Sequence, residues 1–290
     1  MTEPAEARPA VILVGTPIGN LGDISPRAVE ALTNADVIAA EDTRRTRPML
    51  TALGIPAGRR LVSFHGPHEA ELAAKLVARI VERGERLVCV TDAGMPGISD
   101  PGERLVTAAL AAGIAVEVVP GPSAALAALV VSGLPTARFV FEGFLPRKGR
   151  QRAARLAELE AEERTVVIFE APHRLEATLA DLAAALGPER PVAVAREITK
   201  RFETVWRGTL GQVTSGNGPM PRGEQVIVLG PAAHVESEQP DDESIKGALR
   251  TELAAGASTR DAAAVVANRL GVTRRRAYAL ATTLRGPARS

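Results

Sequence analysis

The stretch 87-LVCVTDAGMPGISDPG-102 decides how this chain is read. Leu87, Val88, Cys89 and Val90 form a short apolar run, the pattern of a strand buried on both faces. A turn dense in glycine and proline follows at once. A buried strand that runs straight into such a turn exposes backbone at the carboxyl end of a sheet, where open α/β sheets bind their ligands. Gly94, Gly97 and Gly102 let the main chain approach a ligand closely. Pro96 and Pro101 stiffen the loop into a preformed cradle. Asp92 and Asp100 place carboxylates at its two ends.

Working upstream, Val11–Val14 reads as a second buried strand, leading into a loop that holds Gly15, Gly19 and Gly22. That spacing is G-x-x-x-G-x-x-G with prolines between, which argues against a dinucleotide fingerprint. Ser25-Pro26 is an N-cap followed by proline at the first helical position and predicts a helix over Arg27–Ala35. Asp36–Ala40 is a strand whose end, Glu41-Asp42-Thr43-Arg44-Arg45, reads as a loop. Its charges form either an ion-pair network or a rim that orients a polar substrate. Leu61–Phe64 is a strand, and His65-Gly66-Pro67-His68 a turn; two histidines without cysteine partners fit a turn better than a zinc site. Glu69–Arg83 has helical period and ends at Gly84.

Downstream, Glu103–Ala112 reads as a helix and Ala115–Val119 as a strand that breaks at Pro120-Gly121-Pro122-Ser123-Ala124-Ala125. This second strand-to-glycine turn opens a helix of small residues, whose free amides suit a polar or anionic ligand atom. Gly121-x-Ser123 lacks the second glycine and the acid and histidine partners of a hydrolase nucleophile elbow. Strands and helices that alternate with short connections predict a parallel α/β layer, ending near Gly133–Pro135.

A second unit starts with the strand Phe139–Phe141. The segment Glu142–Arg150 reads as a loop that gathers aromatic and basic residues, a composition able to hold phosphate. A charged helix over Gln151–Glu163, a strand over Thr165–Phe169, a helix to about Leu186 and strands at Val192–Ala195, Glu203–Arg207 and Gln225–Leu229 complete a mixed sheet. The expected division is a disordered leader 1–10, an N-terminal α/β domain 11–135, a C-terminal α/β domain 136–233, an acidic linker 234–245 and a helical module 246–290. The module's helices fall near Lys246–Ala254, at Thr259–Leu270 and at Arg274–Leu284, with Ser258 or Thr259 as a cap. A helix, a glycine turn and a helix opening on Arg274-Arg275-Arg276 resemble a helix-turn-helix.

Composition narrows the function classes. With 290 residues the chain has room for two packed domains. Aromatic content is only 3%, so a binding site relies on backbone and small side chains. A net charge of +1 gives no global basic field, so any nucleic-acid contact comes from local patches. A single cysteine excludes an internal disulfide framework and fits a reducing cytoplasm. No apolar run approaches the ~18 residues of a membrane span, and the N-terminus lacks the apolar core of a signal peptide.

Seven motifs occur in order: VGTPIGNLGDIS, AEDTRRT, TDAGMPGISDPG, VVPGPSA, FEAPHR, REITKRFE and GEQVIVL. Together they resemble the ribosomal RNA small subunit methyltransferase I family, of the class III, tetrapyrrole-methylase-like superfamily. The resemblance covers Val11 to about Gly230 and the helical module. It implies an α/β fold of two domains with S-adenosylmethionine in the cleft between them, and a homodimer. It further implies methyl transfer to the ribose 2′-hydroxyl of a cytidine in the decoding region of 16S rRNA, within the 30S subunit. Carried over by motif, the cofactor residues are Ile18, Asp92, Ala93, Gly94, Ile98, Ser123, Ala124, Ala171 and Ile198, with no metal. At Ile18 the chain has Thr-Pro-Ile-Gly-Asn where tetrapyrrole methylases have Gly-Pro-Gly-Asp. Transfer from a sulfonium needs in-line alignment and a group to handle the hydroxyl proton. Glu170, Glu197, Lys200 and, more distantly, Asp23 are the candidates. Arg44, Arg45, Arg147, Lys148, Arg274, Arg275 and Arg276 are candidate phosphate contacts. Two alternatives stand beside this reading: a tetrapyrrole C-methyltransferase using the same fold and cofactor, and a non-catalytic RNA-binding assembly factor.

Overall fold

In the computed structural model, which describes residues 9–232 and 240–285, the first half of the chain builds one parallel sheet. Its strands are β1 (Ala10–Val14), β2 (Val37–Ala40), β3 (Leu61–Ser63), β4 (Arg86–Val90) and β5 (Ala115–Val119), in the order β3-β2-β4-β1-β5. The continuous apolar runs follow from burial on both faces. Ile12, Val14, Ile38, Val88 and Val90 face one core, completed by α1 (Pro26–Thr33) and α2 (Thr43–Ala52). Val11, Val37, Leu87 and Cys89 face the other, under α3 (Glu69–Arg83) and α4 (Glu103–Ala111). Burial pushes the Cys89 thiol up to about 12, with Glu69 and Glu41 adding to it, so this cysteine is inert packing.

The second sheet is mixed. It contains β6 (Phe139–Phe144), β7 (Thr165–Glu170), β8 (Pro191–Arg196), β9 (Thr204–Thr209) and β10 (Gln225–Leu229), ordered β6-β7-β10-β8-β9. Only the β6–β7 pair is parallel. One face packs under α6 (Arg150–Glu160) and α7 (Leu175–Leu186). The opposite face, with Val167, Ala193, Ala195, Val226 and Val228, is covered by α5 (Ala124–Ser132). The single turn α8 (Leu210–Gln212) is fixed by a capping box between Thr209 and Gln212.

Several expectations are corrected. The segment after β2 is a helix, not a loop: the Asp42 carboxylate accepts from the Arg44 amide and caps α2, and Pro48 lies inside it. Helix α1 stops at Thr33, short of Ala35. Strand β6 continues to Phe144 across a bulge, with Gly143 at φ 65°, so the first three residues of the expected loop are strand. Helix α6 runs Arg150–Glu160 and ends before Glu163. Helix α5, within the expected N-terminal domain 11–135, packs in the second sheet's core, and the described residues up to Ala232 cluster as one compact unit.

Residues 1–8 of the expected leader, 233 at the end of the expected C-terminal domain, 234–239 of the expected linker and 286–290 of the expected module lie outside the described residues, and Ala10 already sits in β1. The linker does not extend to 245, because Asp241 caps α9 (Asp242–Ala254) through the Ser244 amide. With α10 (Thr259–Leu270), capped by Ser258, and α11 (Arg274–Arg285), it forms a separate unit around Ile245, Leu249, Val266 and Ala277.

Candidate functional site

Three loops leave the carboxyl ends of the neighbouring strands β4, β1 and β5 and lock together. Thr16 pairs with Gly94 in both directions, the Thr16 amide donating to the Gly94 carbonyl (2.9 Å) and the Gly94 amide to the Thr16 carbonyl (3.1 Å). Gly15 after β1 touches Gly121 after β5 so closely that a Cβ on Gly121 would lie 2.8 Å from the Gly15 backbone. Gly94 has φ 85°, a conformation that only glycine adopts readily. The Gly97 amide donates to the Pro101 carbonyl and the Gly102 amide to Glu69 Oε1 (both 3.0 Å), so the glycine-proline loop is tied at its base. Ser123 accepts from the Leu126 amide and caps α5.

Facing these loops are the ends of β6, β7 and β10. Between the two sheets lies a cleft of about 400 Å³, within the range of small-ligand sites. It brings together Ile18, Asp92, Ala93, Gly94, Ile98, Ser123, Ala124, Glu170 and Ala171. Ile198 is not in the lining; it packs on the core beneath α5. The first sheet's side also carries Glu41, Asp100 and Arg45; the second carries Phe144, Phe169, Glu224 and Gln225. A smaller cavity of about 220 Å³ adjoins, lined by Pro17–Gly19, Leu21, Arg45, Thr46, Met49, Thr91–Ala93, Lys200 and Glu224. Ile18, Arg45, Asp92, Ala93 and Glu224 border both spaces.

The electrostatics divide the cleft. Glu41, Asp92 and Asp100 make its first-sheet wall acidic. Asp92 accepts from the Asp42 amide (3.1 Å), pairs with Arg45 (3.2 Å) and donates its own amide to Glu41 (3.1 Å). Burial pushes the Asp100 carboxyl up to about 6, helped by Glu41 and Asp92. Phe144, stacked edge-on to Phe169 at 5.7 Å, and Ile98 expose apolar surface at the mouth. Gln225 is buried. Its amide nitrogen donates to the Met220 and Arg222 carbonyls, while its Oε1 has no hydrogen-bond partner among the described residues. A buried orphan acceptor beside a cavity is satisfied by a ligand that donates an N–H.

The candidate proton acceptors differ sharply. Glu170 is sealed from solvent: it accepts from Thr178 Oγ1 (2.5 Å) and the Ala171 amide (2.8 Å) and pairs with Arg174 (3.4 Å). Glu197 lies in neither cavity wall, at φ 52°. The hydrogen bond from the Glu224 amide, followed by that from Lys200, outweighs desolvation and holds its carboxyl low. Lys200 reaches Glu224 (2.9 Å) and Glu197 (3.1 Å). Desolvation alone would lower it, but these two carboxylates raise it above its ordinary value, so it is an ammonium. Its stem lies over Gly19, where a Cβ would sit 2.3 Å from Lys200 Cγ. Asp23 is exposed and outside both cavities. Glu224, which the sequence reading passed over, is exposed and borders both spaces. Its signal was the polar pair Glu224-Gln225 directly before the apolar run Val226–Leu229.

The expected phosphate contacts are scattered. Arg44 is held by Asp42 through several hydrogen bonds, Arg45 by Asp92. Arg147 and Lys148 are exposed, three and four residues past the cleft-lining Phe144. In the helical unit Arg276 pairs with Asp242 (2.7 Å), whereas Arg274 and Arg275 are exposed. Among the described residues no helix is long and apolar enough to cross a membrane.

The fold and the glycine-lined cleft define a class. Residues 10–214 match the family model described as tetrapyrrole (corrin/porphyrin) methylases. Solved structures agree on the fold: uroporphyrin-III-C-methyltransferase from Thermus thermophilus has a TM-score of 0.56 at 24% identity, covering 80% of this chain and 98% of that one. Another structure of that enzyme, complexed with S-adenosylhomocysteine, has a TM-score of 0.53 at 23% identity over 78% of this chain and 99% of that one. Closer sequence relatives refine this. A protein of Synechocystis named ribosomal RNA small subunit methyltransferase I is 44% identical over 94% of this chain and 97% of its own length. One of the same name from Xylella fastidiosa is 50% identical over 76% and 81%, and one from Mycobacterium tuberculosis 45% identical over 92% and 93%. The chain belongs to the ribosomal RNA small subunit methyltransferase I family.

Proposed function

We propose that this protein transfers a methyl group from S-adenosylmethionine to a ribose 2′-hydroxyl of 16S rRNA, at a cytidine of the decoding region in the small ribosomal subunit. The observation that carries this reading is the pair of adjoining cavities with a shared wall: one suits a cofactor, the other an acceptor. The residues present fit the cofactor. The acidic wall of Glu41, Asp92 and Asp100 suits a ligand with a sulfonium and an ammonium. Phe144 and Ile98 offer apolar surface to a purine, and Gln225 Oε1 awaits an N–H donor. Ala93, Gly94, Ser123, Ala124 and Ala171 leave room for close backbone approach.

Bound S-adenosylmethionine supplies an electrophilic methyl group on sulfur. The protein's contribution is alignment and proton management. Ile18, Asp92 and Ala93, which border both spaces, hold the donor and acceptor in register. Glu224 is the carboxylate placed to take the 2′-hydroxyl proton as the new O–C bond forms and the S–C bond breaks. Lys200, kept cationic, orients Glu224 and stabilises charge developing on the attacking oxygen. Glu197 is a positioning residue behind Lys200. Glu170 braces the β7 end through Thr178 and Arg174 and takes no proton.

Arg45, Arg147 and Lys148 supply phosphate contacts near the cleft mouth. The family's dimeric habit has a matching surface: α5 is apolar on all sides, buries one face on the second sheet, and exposes Leu126 and, at 69%, Val130 on the other. The protein works in the cytoplasm, where its subunit substrate resides. The test is mass mapping of 2′-O-methyl groups in 16S rRNA after incubation of small subunits with the protein and the cofactor. One new ribose methyl is expected, lost in Glu224→Gln with cofactor affinity retained. Methylation of a porphyrin precursor instead would establish the C-methyltransferase alternative; binding without any transfer would establish the assembly factor.

A further inference from the structure

The helical unit contains a groove that the methyl-transfer chemistry does not use. It has a volume of about 500 Å³, between α10 and the start of α11, and is lined by Arg260, Ala263, Ala264, Arg274, Arg275 and Tyr278. Two alanines on its floor keep it open. Its charge is unusual within its own unit. Lys246 and Arg250 pair with Glu243, Arg269 with Glu252, and Arg276 with Asp242. Arg260, Arg274 and Arg275 make no ion pair among the described residues. The nearest carboxylate in sequence, Asp261, is turned to Ser258, whose hydroxyl donates to it at 2.6 Å. Three guanidiniums gathered in one groove repel one another, and no acid among the unit's described residues relieves this. An external polyanion would.

The groove also carries the chain's single tyrosine. Tyr278 is 51% exposed although the chain is poor in aromatics, and it stands three and four residues from Arg275 and Arg274 on the same helical face. An exposed ring beside unpaired arginines over a small-residue floor is the arrangement that holds an unpaired nucleotide: the base stacks on the ring and the flanking phosphates meet the guanidiniums.

We propose that this groove is an RNA-docking site for a single-stranded stretch of the substrate, with Tyr278 as the stacking platform and Arg260, Arg274 and Arg275 as the phosphate clamp. This rests on the reading that the substrate is ribosomal RNA. It assigns recognition to a surface whose chemistry is independent of the cofactor cleft.

The test uses the full-length protein, fluorescence anisotropy with a labelled unstructured RNA dodecamer across a salt series, and methylation of small subunits in parallel. Tyr278→Ala is expected to weaken RNA binding by about tenfold or more without changing the salt slope. Arg274→Ala/Arg275→Ala is expected to lower that slope by about 1.4, at roughly 0.7 per lost phosphate contact on single strands. Tyr278→Phe keeps the ring and retains affinity. Arg269→Ala, on an ion-paired arginine outside the groove, changes neither quantity. All variants keep cofactor affinity, and an unchanged melting transition of the helical unit reports that this separate unit stays folded. If the parent binds RNA and methylates subunits while the groove variants bind with unchanged affinity and slope, the groove proposal is overturned and the methyltransferase reading stands. If the parent neither binds RNA nor methylates subunits, the underlying reading falls and takes the groove with it. If the groove variants lose binding only to vesicles containing anionic lipid, a membrane surface replaces RNA as the partner.

Discussion

Replacing Gly121 by alanine adds one methyl group at the place where the loops after β1 and β5 touch. The added Cβ would lie 2.8 Å from the carbonyl carbon, Cα and carbonyl oxygen of Gly15. Relaxing this to an ordinary contact of about 3.5 Å requires the two backbones to part by roughly 0.7 Å. They are not free to do so: the Gly15 amide donates to the Val119 carbonyl at 3.0 Å, and the next residue, Thr16, is paired with Gly94. Overpacking of this kind costs about 1–3 kcal/mol. Stiffening of the unfolded chain offsets about 0.4–1 kcal/mol, because the Gly121 backbone is not in the left-handed region. A net loss of about 1.3 kcal/mol in a unit of this size lowers its melting temperature by about 3–5 °C. Gly247→Ala is the matched control: it lies in α9 with nothing within 4 Å of the new Cβ, and is expected to stabilise the helical unit by about 1 kcal/mol. Differential scanning calorimetry reads both, and titration calorimetry with S-adenosylmethionine reads the cleft. A Gly121→Ala protein that melts within a degree of the parent and binds cofactor equally well would refute the argument that this contact fixes the cradle.

Other outcomes follow from features already described. Because the folded protein holds a proton on Asp100 up to about pH 6 that the unfolded chain releases near pH 4, stability falls as pH rises through that window. Since the carboxyl is only partly buried, screening reduces the effect to roughly 1 kcal/mol, and Asp100→Asn should remove it in urea titrations at pH 4, 5, 6 and 7. Lys148→Ala should weaken binding of small subunits and lower the salt slope by about 0.7–0.9 while leaving cofactor affinity unchanged; equal loss of both would show that the loop acts on the cleft instead. Arg190 is buried and donates to the carbonyls of Gly230 (2.7 Å) and Glu162 (2.9 Å), so Arg190→Leu should cost about 2–4 kcal/mol by chemical denaturation.

The parallel half of the fold was legible because its three central strands, β1, β2 and β4, are apolar on both faces and each ends at a glycine or charged turn. Helices α3 and α7 and strands β5 and β10 fall where their periodicity places them. Helix α2 was hidden by Pro48, which reads as a helix breaker, and by the dense charge of Thr43–Arg47; its cap, Asp42, was visible but followed by no apolar stripe. The sheet that α5 covers was not legible, for a different reason. Periodicity shows that α5 is apolar, but not which sheet it covers. In the site, motif spacing pointed to the first-sheet loops well, since local backbone geometry makes them. The candidate proton acceptors could not be ranked from sequence, because Glu170, Glu197 and Glu224 differ only in what surrounds them: a threonine and an arginine seal the first, a backbone amide and a lysine occupy the second, and open space borders the third.

The position of α5 has a consequence for synthesis on the ribosome. Its sequence precedes every strand it covers, and β10, the last of them, begins at Gln225, about 90 residues after α5 ends. At about 5–20 residues per second the helix waits roughly 5–20 s, apolar on every side, with no sheet to lie on. The first sheet can close in that interval, but its cofactor loop Pro120–Ser123 stays attached to an undocked helix. Nascent chains arrested near residue 135 should therefore be held by chaperones and show no cofactor affinity. Chains long enough to have released Leu229 from the exit tunnel should lose the chaperone and gain the cofactor together.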